Sequence, residues 1–285
     1  MIGEMLMKKI KVKIPAKINL TLDVLGVSEG FHNIKSLVAS VNLYDAITLY
    51  KRNDKKATLI NKGINLDIPT EQNNAYKTAI AFMETFNTNG VDIVIEKGIP
   101  LGAGLGSSSA DVAGVIKGMK TLFGVKRSVK KLASTLGSDV NYMLKGGYAV
   151  MKGKGDEIES IKTKEKFYLV IMTEKQGVST KECYAKFDEL GKKYKTSTVG
   201  AVRILKSRDK ENFIKALKND LYLPAKTLLP TIENNINILS KYSVSLMSGS
   251  GSSTYAIFTK KRLRNKAYKA LKREYGDKIL KAQTI

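Results

Sequence analysis

Apolar and polar residues alternate between Lys11 and Val24. Ile18, Leu20, Leu22 and Val24 fall on one parity, and Asn19, Thr21 and Asp23 fall on the other, the period-two pattern of a half-buried strand. Lys17 shares the polar parity with Asn19, so both side chains can face the same side of a sheet. Ser28-Glu29-Gly30 supplies a turn, and Leu43–Tyr50 and Val91–Glu96 read as further strands. Asn73–Phe86 has the apolar spacing of a helix. A Gly/Ser loop at Gly102–Ser109 leads into a helix expected across Ala110–Phe123, after which Val129–Leu136 reads as helical and Tyr148–Met151 as extended.

Phe167–Met172 opens what reads as a second unit. Helices are expected near Thr180–Leu190, Val199–Ser207, Asn212–Leu217 and Thr231–Ser240. Two short strands then flank a second Gly/Ser loop at Ser248–Ser253, and a last helix covers Arg262–Glu274. The charged stretch Ile161–Lys166 before a fresh strand suggests a division into residues 1–163 and 164–285. No internal repeat or low-complexity tract interrupts the pattern.

Composition narrows the class. The chain has 285 residues, 43% hydrophobic and 26% charged, which suits a folded protein with a sizeable core. The longest strongly apolar run is about six residues, far short of the roughly 18 that a membrane-spanning helix needs, so no membrane partner is expected. The N-terminal stretch has no small-residue cleavage site and does not read as a signal peptide; Met5 and Met7 are equally plausible starts. A single cysteine, Cys183, cannot make an internal disulfide and fits a cytoplasmic setting. Lys+Arg number 49 against 26 Asp+Glu, a net charge of +23. The lysines are scattered, without a basic tail or an aromatic-studded basic motif. The pattern therefore favours surface composition over a nucleic-acid partner, although such a surface still attracts polyphosphates.

The most informative stretch is Ile99-Pro100-Leu101-Gly102-Ala103-Gly104-Leu105-Gly106-Ser107-Ser108-Ser109-Ala110-Asp111. Its glycines let the backbone approach a ligand closely. Its serines stand where a helix begins, and there unpaired N–H groups and the helix dipole favour an anion. Together they form a phosphate cradle. No Gly-Lys-Ser/Thr follows, so it is not a Walker A loop, and the serines replace the third glycine of a dinucleotide fingerprint. A tight strand-to-helix turn with a serine cap is the alternative reading. Met247-Ser-Gly-Ser-Gly-Ser-Ser253 repeats the same chemistry in the other half and weakens that alternative.

Pro-x-x-x-Gly-Leu-Gly-Ser-Ser-Ser-Ala resembles the ATP-binding signature of the GHMP kinases. Ile14-Pro-Ala-Lys-Ile-Asn-Leu20 resembles the superfamily's N-terminal motif, and Met247–Phe258 its third, glycine-rich motif. Within the superfamily, Gly30-Phe31-His32, Leu43-Tyr44-Asp45, Leu136-Gly-Ser-Asp-Val140, Gly146-Gly-Tyr-Ala149 and Asn219-Asp-Leu221 resemble the kinases of 4-diphosphocytidyl-2-C-methyl-D-erythritol. Two departures stand out. That subfamily's Gly-Leu-Gly-Gly-Gly-Ser-Ser-Asp is Gly-Leu-Gly-Ser-Ser-Ser-Ala-Asp here, and Asn141-Tyr142 replaces its usual Pro-Phe.

The resemblance implies an α+β, two-domain GHMP kinase fold, with a ribosomal S5 domain 2-like N-terminal domain and a ferredoxin-like C-terminal domain. It implies ATP with Mg2+, and phosphorylation of the 2-hydroxyl of a small cytidyl diphosphate substrate by a monomer or homodimer. Asp139 would take the hydroxyl proton, and Lys17 would stabilise charge on the transferring group. Asn73 and the loop from Pro100 to Ala110 would bind the nucleotide. Asn19, Phe31, His32, Tyr184, Gly249, Ser250 and Gly251 would bind the substrate. The metal ligand stays open: Ser109 and Asp111 are candidates, and Asp111 is equally a plain first-turn residue. Considered alone, Asp139 and Asn73 also read as helix caps, and Lys17 as a solvated strand lysine. Another superfamily kinase acting on homoserine or a mevalonate-type alcohol, or a basic RNA-binding module, remains an alternative.

Overall fold

The computed structural model describes residues 8–28, 30–62, 68–191 and 196–285. The alternative starts Met5 and Met7, and Glu29 of the first turn, lie outside them.

In chain order the elements begin with β1 (Lys9–Asn19), β2 (Thr21–Ser28), β3 (Phe31–Lys51), β4 (Ala57–Lys62), α1 (Asn74–Phe86) and β5 (Val91–Glu96). Next come α2 (Ser107–Leu122), α3 (Lys130–Leu136), α4 (Val140–Lys145), β6 (Tyr148–Gly153), β7 (Glu157–Ile161) and β8 (Tyr168–Met172). They are followed by α5 (Thr180–Glu189), α6 (Thr198–Ser207), α7 (Lys210–Lys215), β9 (Lys218–Asn219), α8 (Tyr222–Leu228) and α9 (Thr231–Ser240). The chain closes with β10 (Ser245–Met247), β11 (Thr254–Phe258), α10 (Lys261–Tyr275) and β12 (Ile279–Gln283). Among the described residues no helix is long and apolar enough to cross a membrane.

Contacts group the chain into two compact units, each discontinuous in sequence. One comprises the described parts of Met1–Pro15, Leu43–Ile99 and Ser107–Lys145. In it β4 runs parallel to β5, and β5 runs antiparallel to the second half of β3, from Ala46↔Glu96 to Lys51↔Val91. Helix α2 lies close against β3: a Cβ added to Gly114 would stand 2.4 Å from Ile47 Cδ1. That helix glycine, costly to helix propensity, is what allows the close approach.

The other unit comprises Ala16–Asn42, Pro100–Gly106 and Gly146–Ile285. Strand β2 forms a hairpin with the first half of β3, which also pairs β6, and β6 pairs β7. A second sheet has the antiparallel order β10-β11-β8-β12. Its chain order is strand, helices, two strands, helix, strand, and β8 lies between β11 and β12: the split βαβ arrangement of a ferredoxin-like domain. Val170, Met172, Leu239, Ala256, Phe258, Ala267, Leu271 and Ile279 form the core between that sheet and helices α9 and α10.

Most expected elements stand within a few residues of their places. The chain from Ala16 to Val24 differs in kind. It breaks at Leu20 into two strands, and both of its faces are buried, the polar parity included. Hydrogen bonds make this tolerable: Thr21 Oγ1 accepts from the Leu37 amide at 3.0 Å, and the Asp23 carboxylate accepts from the amides of Ser197 and Thr198. Strand β3 starts at Phe31, well before Leu43. Buried Ser36 and Ser40 interrupt its apolar alternation, and they find partners in the Thr21 carbonyl and the Gly147 amide. Elements β4, β7, β9, β12, α4 and α8 were not anticipated. Each has only two to seven residues, too few for a period to show.

Candidate active site

Strand β1 ends with Lys17 and Asn19 on one face, as their parity requires. Both are buried, at 5% and 4% exposure, and Lys17 Nζ donates to Asn19 Oδ1 at 2.7 Å. The solvated-strand reading of Lys17 therefore fails. Asn19 Nδ2 donates in turn to Ser36 Oγ at 2.8 Å, which fixes the amide's orientation.

The two Gly/Ser loops meet beside this pair. Ser248 Oγ accepts the Asn19 amide at 3.2 Å and donates to the Gly104 carbonyl at 2.9 Å. The Lys17 amide donates to the Leu105 carbonyl at 3.0 Å, and the Ser253 amide to the Ala103 carbonyl at 3.2 Å. A Cβ on Gly104 would lie 2.2 Å from the Ser248 carbonyl oxygen, and one on Gly249 would lie 3.5 Å from Lys17 Nζ. Gly249, Ser250 and Gly251 are buried in this seam. Asn219, which sequence reasoning noted only as a motif position, braces the second loop: its Nδ2 donates to the carbonyls of Met247 at 2.9 Å and Gly249 at 2.8 Å. Leu101 is exposed, Pro100 and Gly106 are half-buried, and Ala103 and Leu105 are buried.

In the other unit, α2 begins at Ser107 rather than Ala110, so all three serines lie in its first turn. Ser108 Oγ accepts from Asn74 Nδ2 at 2.8 Å, Ser109 is half-buried, and Ala110 is buried. Asn73 is the N-cap of α1, its Oδ1 taking the Ala75 amide at 2.8 Å. Asp139 stands half-buried immediately before α4, where its backbone carbonyl accepts the Met143 amide at 2.9 Å.

Sequence reasoning missed a buried charge cluster next to the serines. The Lys97 ammonium lies 2.5 Å from Asp45 Oδ2, 2.7 Å from Asp111 Oδ2 and 2.6 Å from Ser107 Oγ, and its side chain is 1% exposed. Asp45 Oδ1 also takes the amides of Gly98 and Ile99 at 2.7 and 2.9 Å. One ammonium thus ties the segment leaving β5 to the first turn of α2. Burial pushes the Asp111 carboxyl up to about 7, against the pull of Lys97 and with help from the nearby Asp45 charge. Asp111 Oδ1 is buried without a hydrogen-bond partner. The only signal in the sequence was a lysine and two aspartates spread over a long stretch, with nothing to say that they meet.

His32, Tyr184 and Phe31 do not flank an open slot. The His32 ring stacks on Tyr184 at 4.5 Å between centroids, and its Nε2 lies 2.9 Å from Asp188 Oδ1. Phe31 is 57% exposed, with the Lys154 ammonium 4.4 Å over its ring.

The comparisons agree with this architecture. The family described as "GHMP kinases N terminal domain" matches residues 73–150, and "GHMP kinases C terminal" matches residues 201–278. The chain is 33% identical to the 4-diphosphocytidyl-2-C-methyl-D-erythritol kinase of Clostridium beijerinckii, over 94% of this chain and 97% of that protein. It is 34% identical to the kinase of the same name from Clostridium tetani, again over 94% and 97%. A crystal structure of 4-(cytidine 5'-diphospho)-2C-methyl-D-erythritol kinase superposes with a TM-score of 0.81 at 26% identity, covering 96% of this chain and 98% of that one. The homoserine kinase of Cytophaga hutchinsonii shares the fold, with a TM-score of 0.75 at 20% identity over 100% and 97% of the two chains. Two family domains in order, and relatives matched over nearly their whole lengths, lead to one conclusion: the chain belongs to the GHMP kinases.

Proposed function

We propose that the chain transfers the terminal phosphoryl group of ATP to the 2-hydroxyl of 4-diphosphocytidyl-2-C-methyl-D-erythritol. The observation that carries the reading is the seam of hydrogen bonds joining the two Gly/Ser loops beside the buried Lys17–Asn19 pair. The substrate is carried by the names of the relatives, which match over nearly their whole lengths.

In this reading the substrate hydroxyl oxygen attacks the terminal phosphorus, the bond to the β-phosphate oxygen breaks, and ADP leaves. Asp139 takes the hydroxyl proton. Lys17, oriented by Asn19, offsets charge on the transferring oxygens. The loop from Pro100 to Ala110 cradles the phosphates with backbone N–H groups, Asn73 flanks the nucleotide, and Gly249, Ser250 and Gly251 back the acceptor. A cytidine base would meet Phe31, His32 and Tyr184. Mg2+ bound to the nucleotide would neutralise phosphate charge. Among the described residues no three His, Cys, Asp or Glu side chains gather into a metal site. Asp111, with its unpartnered Oδ1, or Ser109 would supply the chain's oxygen to that ion. Domains at 1–163 and 164–285 belong to the same reading, supported by family matches on either side of that division. A cytoplasmic setting does too, supported by a lone, buried Cys183.

The test is ADP release with Mg-ATP and a panel of acceptors: the cytidyl compound, homoserine, mevalonate and none. Turnover confined to the cytidyl compound, and abolished in Asp139→Asn while ATP still binds, is expected. An active Asp139→Asn enzyme would remove Asp139 from the mechanism, and turnover of another alcohol alone would discard the substrate.

A further inference from the structure

Helices α1 and α2 begin on the side where the proposed function places the nucleotide: Asn73 caps the first, and Ser107, Ser108 and Ser109 open the second. Their other ends share a cleft of about 500 Å³. It is lined by Lys51 at the end of β3, by residues 86–89 at the end of α1 and by residues 123–127 after α2. Helix α2 has 16 residues, so this cleft stands about 23 Å from the first-turn serines. Lys51, Lys126 and Arg127 contribute positive charge to its wall, and among the described residues no carboxylate lines it.

Cations at helix C-termini commonly serve the last carbonyls. Here the backbone serves most of them. The Val125 amide donates to the Lys120 carbonyl at 2.9 Å and the Gly124 amide to that of Thr121 at 3.2 Å, with Gly124 at φ +65°, a Schellman closure. The Asn87 and Thr88 amides both reach the Met83 carbonyl. Arg127 gives one nitrogen to the Thr85 carbonyl at 3.3 Å, which leaves most of its five N–H groups for a ligand. Its guanidinium lies 5.0 Å over the Phe86 ring, and the Lys51 ammonium 5.5 Å over that of Phe123. Thr88 gives a second, independent sign. It lines the cleft at 8% exposure, and its Oγ1 is buried without a hydrogen-bond partner, where hydroxyls are normally paired. We propose that this cleft is a second anion site that takes the diphosphate group of a small molecule. Arg127 and the two ammonium groups hold the diphosphate oxygens, and the Thr88 hydroxyl donates to one of them. Three cations suit a diphosphate better than a single phosphate, since the larger charge is offset more fully. The half-buried rings of Phe86 and Phe123 leave apolar wall for the organic part, in a volume ordinary for a small-molecule site.

The experiment is an amide NMR titration of the isotope-labelled full chain with inorganic pyrophosphate, at constant ionic strength and without Mg2+. Signals assigned to residues separate binding at the cleft from binding at the phosphate loop. The Thr88, Gly124 and Arg127 amides are expected to shift along one saturable curve, distinct from that of Gly104 and Gly106. Lys126 and Arg127 are exposed, so their replacement leaves the core intact. Lys126→Gln and Arg127→Gln should each weaken the cleft's affinity about tenfold and leave the loop's curve unchanged. Thr88→Val, which keeps the shape of the side chain, should weaken it about threefold. Lys131→Gln removes an exposed lysine outside the cleft and should change it less than about twofold. Cleft shifts that stay linear in pyrophosphate overturn the proposal. So does an equal loss in Lys131→Gln, which would mean diffuse surface attraction, or undiminished affinity in Arg127→Gln. The readout involves neither acceptor nor turnover, so its failure leaves the proposed function standing.

Discussion

The hydroxyl of Ser248 donates to the carbonyl of Gly104 at 2.9 Å, and the backbone of one loop rests directly on that of the other. The contact exists because residue 104 has no side chain: its φ is +70°, and a Cβ there would lie 2.2 Å from the Ser248 carbonyl oxygen. Gly104→Ala is therefore expected to push the loops apart, at a cost of about 1–3 kcal/mol from strain and positive φ. KM for ATP should rise and the melting temperature should fall together. A variant with wild-type ATP kinetics would show that the seam plays no part in nucleotide binding.

The Lys97 ammonium neutralises two buried carboxylates at once. Removing it in Lys97→Met strands both Asp45 and Asp111 in the interior, which is worth about 3–5 kcal/mol for a broken buried pair. A large drop in the urea midpoint is expected, and Lys97→Met/Asp45→Asn should recover part of it because one stranded charge is gone. Equal midpoints for the single and double variants would mean that the charges are not coupled.

Asp111 gives the metal-free protein a pH dependence of known sign. Its carboxyl is pushed up to about 7 in the fold, above the roughly 3.9 of an unfolded aspartate. Between those values the folded chain holds more protons than the unfolded one. This contribution is therefore full below about pH 4 and is lost as the pH rises through about 7. Asp111→Asn removes the titration, so its stability relative to wild type should increase by about 4 kcal/mol across that window. Parallel melting-temperature profiles for the two proteins would contradict the assignment.

Asn219 holds the second loop through two carbonyls with a single amide nitrogen. Asn219→Ala leaves both buried carbonyls without that donor, at about 1–3 kcal/mol. Asn219→Asp, which replaces a donor with a charged acceptor facing two carbonyls, should cost more than Ala. Chemical denaturation of the two variants gives the order directly, and a milder effect for Asp would be inconsistent with the donor role.

How much of this could be read in the amino-acid sequence depends on how local the signal was. Helix α1, strand β5 and the phosphate loop were legible because their patterns repeat within a few residues: apolar spacing with an Asn cap, a clean alternation, glycines followed by serines. Lys17 and Asn19 on one face followed from strand parity alone; the two Gly/Ser motifs read as phosphate cradles, and together with Ile14–Leu20 they carried the resemblance to the GHMP kinases. Other features depended on partners distant in the chain. The burial of Asn19, Thr21 and Asp23 reversed the expected polar face, because their hydrogen-bonding groups are met by Ser248, Ser36, Leu37, Ser197 and Thr198. The Lys97 cluster and the imidazole clasp of Asp188 were invisible for the same reason. A charged or polar residue looks like surface until its partner is known, since burial is tolerable only when the partner is in place. Local periodicity decided which segments would be strands, helices and loops; tertiary packing decided which polar groups could leave water, because only the folded chain supplies the hydrogen bonds and opposite charges that compensate their desolvation.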